Sequence, residues 1–358
     1  MGRTAKARRG AWKLLGLLLA LTGPPLIAPA LAAPFNVVEL ATLAQGTSTV
    51  VRGPNLGGMA VGGGRVVGKA GASRQGLVFD HGTVLIVPGL PGTDYVNVLG
   101  ANDLGSLVGA ANAADAMRAF AATITGDRRE LAQLPGDSAS AAFAVNNAGA
   151  AVGFSSGADG ERAVRWTPNG TPAVLAGVPG ATNRAYSINQ RGDAVGVIGS
   201  SVERRAALWP AAGAPRTLAA LAGFEASEAA WVNSAGDVVG YSATAAEVRR
   251  ATLWPLGGAP SDLGVLPGGI YSQAFGTNDA GTVVGASDSP DGTRAVLWAR
   301  TGGPQDLNLL VAIPNLVLTK AVGINNQGVI IAIGHEPSGE AHDHELPVRV
   351  VMLVPAGG

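Results

Sequence analysis

The chain has 358 residues, 53 of them glycine and 22 proline, with 14% charged residues, a formal net charge of zero and no cysteine. Glycine at that density excludes long helices, because inside a helix it costs about 1 kcal/mol per residue relative to alanine. The lack of cysteine excludes a disulfide framework, and the lack of a basic excess excludes general nucleic-acid binding.

Residues 1–32 read as an export signal. Arg3, Lys6, Arg8, Arg9 and Lys13 form a basic region, Leu14 to Leu21 a short apolar run, and Ala30-Leu31-Ala32 a small-residue cleavage site. The apolar run is broken by Gly23-Pro24-Pro25 and is too short to span a bilayer, and no later stretch is long and apolar enough to do so. Arg8-Arg9 leaves both the general and the twin-arginine routes open. Removing the signal takes 5 of the 25 basic residues and none of the 25 acidic ones, which leaves a mature chain near −5. The expectation is a secreted, periplasmic or cell-surface protein, a monomer with no membrane span, whose residues 33–358 form a single domain.

The stretch VELATLAQG (38–46) comes next, with an L-x-x-L pattern at Leu40 and Leu43. Then a sentence repeats. Its anchor, N-x-x-G-x-x-V-G, starts at Asn102, Asn146, Asn189, Asn233 and Asn278, with a worn copy at Asn325 and an earlier copy that opens on Val61. The steps are 41, 44, 43, 44, 45 and 47 residues, which makes seven units. Each unit reads as four strands. A short apolar strand ends at the Asn, and Asn-x-x-Gly makes a hairpin turn in which Gly takes the left-handed fourth place. A second strand such as TVVGAS follows. A turn, often Asp-Gly, leads to a third strand such as RAVLW. The fourth strand carries L-x-x-L and ends in Pro-Gly. Four strands in about 44 residues is the length of one propeller blade. The C-terminal VRVVMLVPA (348–356) is a third strand with no fourth after it, and VELATLAQG is a fourth strand with no first three before it. The predicted fold is therefore all-β: a seven-bladed β-propeller of four-stranded blades, closed by an N-terminal strand that completes the last blade and removes exposed sheet edges.

The pattern A-x-x-I-N-x-x-G-x-V-V-G … x-A-x-L-W … D-L-G-x-L-P-G-G resembles the HAF-repeat family of predicted extracellular bacterial proteins. The ending DLNLL … AVGINNQGVIIAIG … VVMLVP is similar to that family's last repeat. The resemblance covers nearly the whole mature chain and implies a β-propeller-like repeat and export from a bacterium. It implies no reaction. The family is named for His-Ala-Phe, whereas this chain has Arg-Ala at Arg118, Arg162, Arg205, Arg250 and Arg294.

A residue present in every unit serves every unit, so function is sought where one unit departs from the rest. The anchor Asn and Gly residues are turn chemistry by this test. Gly153-Phe154-Ser155-Ser156-Gly157 matches G-x-S-x-G, but it falls where its siblings run from strand into turn, not at a strand-to-helix elbow. The arginines open the third strands, on the face of the Pro-Gly loops. Either their stems pack on neighbouring blades and their heads pair with a turn carboxylate, or Arg205, Arg250 and Arg294 belong to an anion-binding ring. Trp231 stands two residues before its anchor Asn, where siblings have Gly100, Ala144, Ser187, Gly276 and Gly323. It either plugs the channel or offers a stacking platform to a sugar. His335, His342 and His344 share one long hairpin, and with Glu336 or Asp343 they could hold a divalent metal such as zinc; the alternative is a solvated charged loop. No other cofactor is called for. The expected function is a non-enzymatic secreted scaffold that binds a protein or glycan. The alternative is an extracellular polysaccharide hydrolase or lyase, which requires carboxylates that converge at the channel mouth. Asp94, Asp115, Glu225 and Glu228 are the least repetitive acids.

Overall fold

The computed structural model describes residues 34–40, 49–50, 61–62, 65–70, 75–80, 83–113, 116–200, 203–311, 313–337 and 349–356. The leader, Asp115, His342, His344 and Asp343 lie outside them. Among the described residues the one helical element is a single 3-10 turn at Leu307–Leu309, and no helix is long and apolar enough to cross a membrane.

The repeated units form antiparallel sheets whose strands follow one another in space as in sequence. The unit anchored at Asn233 is representative, with strands Ala226–Val232, Val238–Ala243, Arg249–Trp254 and Ser261–Asp262. Units at Asn102 and Asn278 repeat this order, and those at Asn146 and Asn189 are joined into one sheet by a single parallel pairing, Glu161 with Thr182. In the last sheet the order runs from Val317–Ile324 to Ile330–His335 to Arg349–Pro355 and ends on Phe35–Glu39. The two ends of the chain thus meet: Phe35 pairs with Pro355 and Glu39 with Val351.

Local chemistry explains the anchor. Gly236 sits at φ 93°, a conformation open to glycine but strained for most residues. The second Gly of the motif has another cause. The first strand carries a bulge, between Ala229 and Trp231 in this unit, that turns its backbone toward the second strand. A Cβ on Gly240 would lie 2.0 Å from the Glu228 carbonyl oxygen, so only glycine fits there.

Neighbouring units share cores. Trp166, Trp209, Trp254 and Trp298 are each buried against the preceding unit. Three of these indoles donate across the boundary, to the carbonyls of Ala132 (2.7 Å), Ala176 (2.7 Å) and Ala219 (2.6 Å). A cluster of Leu40, Val322, Ile331 and Val350 in the last sheet packs against Phe79 of the first unit.

Candidate functional site

The anchor asparagines build a ladder from unit to unit. Each side-chain oxygen accepts from backbone N–H groups of its own turn; Asn102 Oδ1, for example, takes Leu104 (3.0 Å) and Ser106 (2.8 Å). The Nδ2 groups of the first five then donate to the backbone carbonyl of the next anchor: Asn102 to Asn146 (2.9 Å), Asn146 to Asn189 (3.1 Å), Asn189 to Asn233 (3.1 Å), Asn233 to Asn278 (3.0 Å) and Asn278 to Asn325 (3.2 Å). Sequence reading recovered the turn role of these residues and missed the second one.

These turns rim a cavity of about 330 Å³ lined by residues of all six Asn-anchored units. Asp103, Gln190, Ser234, Asp279 and Asn326 supply polar groups to it, and Trp231 supplies the aromatic wall. Position 231 explains the small residues of its siblings. It faces the first strand of the next unit: at Gly100 an added Cβ would meet the Phe143 carbonyl oxygen at 2.6 Å. Trp231 is half-buried, packs on the core shared with the next unit and still reaches the cavity.

The repeated arginines are engaged within the fold. Arg118 pairs with Glu130 (2.8 Å), Arg250 with Asp262 (3.3 Å) and Arg294 with Asp306 (3.8 Å), each acid on the adjacent fourth strand. Where that place holds Val174, Arg162 turns to the buried Asp137 at 2.5 Å. Where it holds Thr217, Arg205 donates to the backbone carbonyls of Arg204 (3.1 Å) and Glu225. These partners are mostly fourth-strand acids, not the turn carboxylates expected from sequence. Ser155 of the G-x-S-x-G match is fully buried inside a strand, and its Oγ accepts from the Leu134 N–H at 3.2 Å. His335 ends its strand half-buried, with Nδ1 3.0 Å from the Glu336 carbonyl. The other two histidines of the proposed metal set are outside the described residues, among which no cluster of three metal-ligating side chains occurs.

A charged and aromatic cluster runs from the unit at Asn146 through those at Asn189, Asn233 and Asn278, toward the starts of their first strands. Five residues before the anchors stand Arg184, Glu228 and Gln273, where siblings have Asn97, Ala141 and Lys320. Arg184 pairs with Glu161 at 2.5 Å and lies over Phe154 at 4.9 Å. Phe143 packs between Phe154 (5.7 Å) and Tyr186 (5.6 Å). Glu228 is buried and accepts from the Tyr241 hydroxyl at 2.9 Å. Burial pushes the Glu228 carboxyl up, opposed by that hydrogen bond and by Arg204, Arg249 and Arg184. Burial likewise pushes up the phenols of Tyr186 and Tyr241, and the charge of Glu228 adds to it. Of the acids singled out from sequence, Glu225 and Glu228 are three residues apart, an odd step that sends them to opposite faces of the extended chain. Glu225 accepts from the Ala245 N–H at 3.0 Å.

No family model matches the sequence, and a search of curated proteins finds no match. Solved structures do match. YCF48 bound to D1 peptide superposes with a TM-score of 0.52 at 12% identity, over 94% of this chain and 100% of that one. A streptogramin B lyase superposes with a TM-score of 0.50 at 10% identity, over 90% of this chain and 98% of that one. Both are β-propellers, and the chain has an all-β fold of that type.

Proposed function

We propose that the chain is an exported, seven-bladed, closed β-propeller that works as a binding scaffold and takes a glycan at the cavity around Trp231. The observation that carries this reading is the composition of that cavity: one half-buried tryptophan set among amides, carboxylates and a hydroxyl from different units. The negative face of an indole attracts the C–H groups of a sugar ring, and side chains that both donate and accept suit hydroxyl groups. A volume of about 330 Å³ is at the lower end of the range for small-molecule sites, roughly 300–1,000 Å³, which suits the end of a glycan chain. Seven blades are supported by seven anchor repeats. Closure is supported by the pairing of residues 35–39 with 351–355 and by Phe79 against the last sheet. The leader-like first residues and the HAF-repeat resemblance support export. Binding is favoured over polysaccharide cleavage because Glu225 and Glu228 diverge and Glu228 is committed to Tyr241.

Trp231 also supplies the assay. Trp166, Trp209, Trp254 and Trp298 are buried, so the accessible fluorescence of the mature chain comes from Trp231. A glycan panel screened by tryptophan quenching is expected to yield a saturable binder. The variant lacks the reporting indole, so its binding is followed by calorimetry: Trp231→Ala is expected to weaken it at least about tenfold, as loss of an aromatic anchor does, with the fold intact by circular dichroism and some stability lost with its packing on the shared core. Undiminished glycan binding by Trp231→Ala, or no glycan bound by the parent, overturns the proposal.

A further inference from the structure

Nine hairpin turns in the described residues share one pair of backbone bonds, in which residue i donates to i+4 and i+3 donates back to i. Eight of them place glycine at the fourth position: Gly105, Gly126, Gly149, Gly170, Gly192, Gly236, Gly281 and Gly328, all with φ between 78° and 102°. The ninth, Thr244 to Val248, places Glu247 there at φ 61°. That left-handed conformation is free of steric cost for glycine and not for glutamate. A side chain kept at such a position points to a task for the side chain.

The carboxylate of Glu247 lies on two arginines from adjacent units. Arg204 donates to both of its oxygens, at 2.7 and 2.5 Å, and Arg249 stands at 3.5 Å. Both guanidinium groups are stacked over the ring of Tyr241, at 5.7 and 4.4 Å from its centroid. Arg249 is also held by the Gln273 oxygen at 3.1 Å. The floor of this cradle is buried and bonded in place, whereas the Glu247 side chain is 52% exposed. A guanidinium held in plane is a fitted receptor for a carboxylate, and here the occupant comes from the chain itself, on an exposed hairpin.

We propose that Arg204, Arg249 and Tyr241 form a carboxylate-binding site, that Glu247 fills it in the free protein, and that the carboxylate of a ligand displaces Glu247. The site is separate from the Trp231 cavity and does not depend on the glycan reading.

The chain, its Glu247→Gly variant and its Arg249→Ala variant are titrated calorimetrically with D-galacturonate and with N-acetylglycylglycine. D-Galactose and the peptide amide serve as neutral controls. Glycine is the residue this hairpin uses elsewhere, so the first variant keeps its fold. At least one carboxylate is expected to bind while its neutral control does not, and the arm that responds tells an acidic sugar from a peptide terminus. Self-occupancy lowers the competent fraction of the site, so Glu247→Gly is expected to bind about threefold to tenfold more tightly. Arg249→Ala is expected to lose binding by about tenfold or more. If Glu247→Gly binds no more tightly than the parent, or if neither binds a carboxylate, Glu247 is a structural ion pair and the proposal fails.

Discussion

Asn233 tests whether the asparagine ladder ties the units together. The residue is 4% exposed, its Oδ1 accepts from the Asp237 N–H at 2.8 Å, and its Nδ2 donates to the Asn278 carbonyl at 3.0 Å. Asn233→Ala removes both bonds: the part-buried Asp237 N–H loses its side-chain acceptor, and the buried Asn278 carbonyl keeps only the Thr277 hydroxyl at 3.3 Å. Each net hydrogen bond contributes about 1 kcal/mol and leaving buried polar groups poorly paired adds to it, so a loss of about 2–3 kcal/mol is expected. Asn233→Asp keeps the acceptor for Asp237 but sets a carboxylate against the Asn278 carbonyl. It should be destabilised at pH 7 and recover part of the loss near pH 4, where a protonated carboxyl can donate. Asn147→Ala is the control, because its side chain makes exposed bonds to Asp103, donating to the carboxylate at 2.9 Å and accepting from the N–H at 3.1 Å, and loss of such exposed bonds should cost less than about 0.5 kcal/mol. Urea unfolding followed by circular dichroism measures all three, with the midpoint moving at constant slope. A cost for Asn233→Ala no larger than that of the control would refute a role for the ladder between units.

Burial holds the phenols of Tyr186, Tyr241 and Tyr271 above the ordinary tyrosine value. The folded chain therefore keeps protons that the unfolded chain releases above about pH 10, and stability falls as the pH rises from there. Absorbance at 295 nm should show these three of the four tyrosines ionising only as the chain unfolds; ionisation of all four near pH 10 with the fold intact contradicts this. Deleting residues 34–40 removes the strand paired with residues 351–355 and leaves an open sheet edge. Oligomers on gel filtration and a lower melting temperature are expected, and a monomer of unchanged stability would show that the strand closes nothing.

The parts of this molecule that were legible in its sequence are those fixed by short-range chemistry. A turn needs a left-handed fourth residue, so Asn-x-x-Gly announced each hairpin. Short apolar segments that recur between turn signals announced the strands, and the RAVLW type of segment announced the third. What escaped lies across unit boundaries. The Nδ2 of Asn233 finds its acceptor 45 residues away, and no local rule names that partner. The second glycine of the anchor recurs in six of the seven copies, with Ala332 in its place in the last, yet its reason is a bulge in the opposite strand, which the pattern of residue types does not reveal. One long-range tie was in plain view. Arg118 and Glu130, Arg250 and Asp262, and Arg294 and Asp306 are all 12 residues apart, a constant spacing that gives each arginine its acid.

The same comparison bears on where function belongs in a repeated fold. Identical units answer identical structural needs, so the residues free to specialise are those at which a unit breaks its own rule. Trp231 breaks the rule of small residues two places before the anchor, and Glu247 breaks the rule of glycine in the hairpin. Glu228 and Tyr241 stand where the siblings already vary, among Asn97, Ala141, Arg184, Gln273 and Lys320 and among Ala110, Phe154, Val197, Ala286 and Ile333. Trp231 and Glu228 share one strand, and Tyr241 and Glu247 follow on the same unit's second strand and the turn after it. The arginines that receive Glu247 come from that unit and the one before it. Two departures from rules kept elsewhere, Trp231 and Glu247, thus fall in one unit, and the charge of Glu247 is matched by arginines on both sides of that unit's boundary; a binding function private to one unit is to be tested there first.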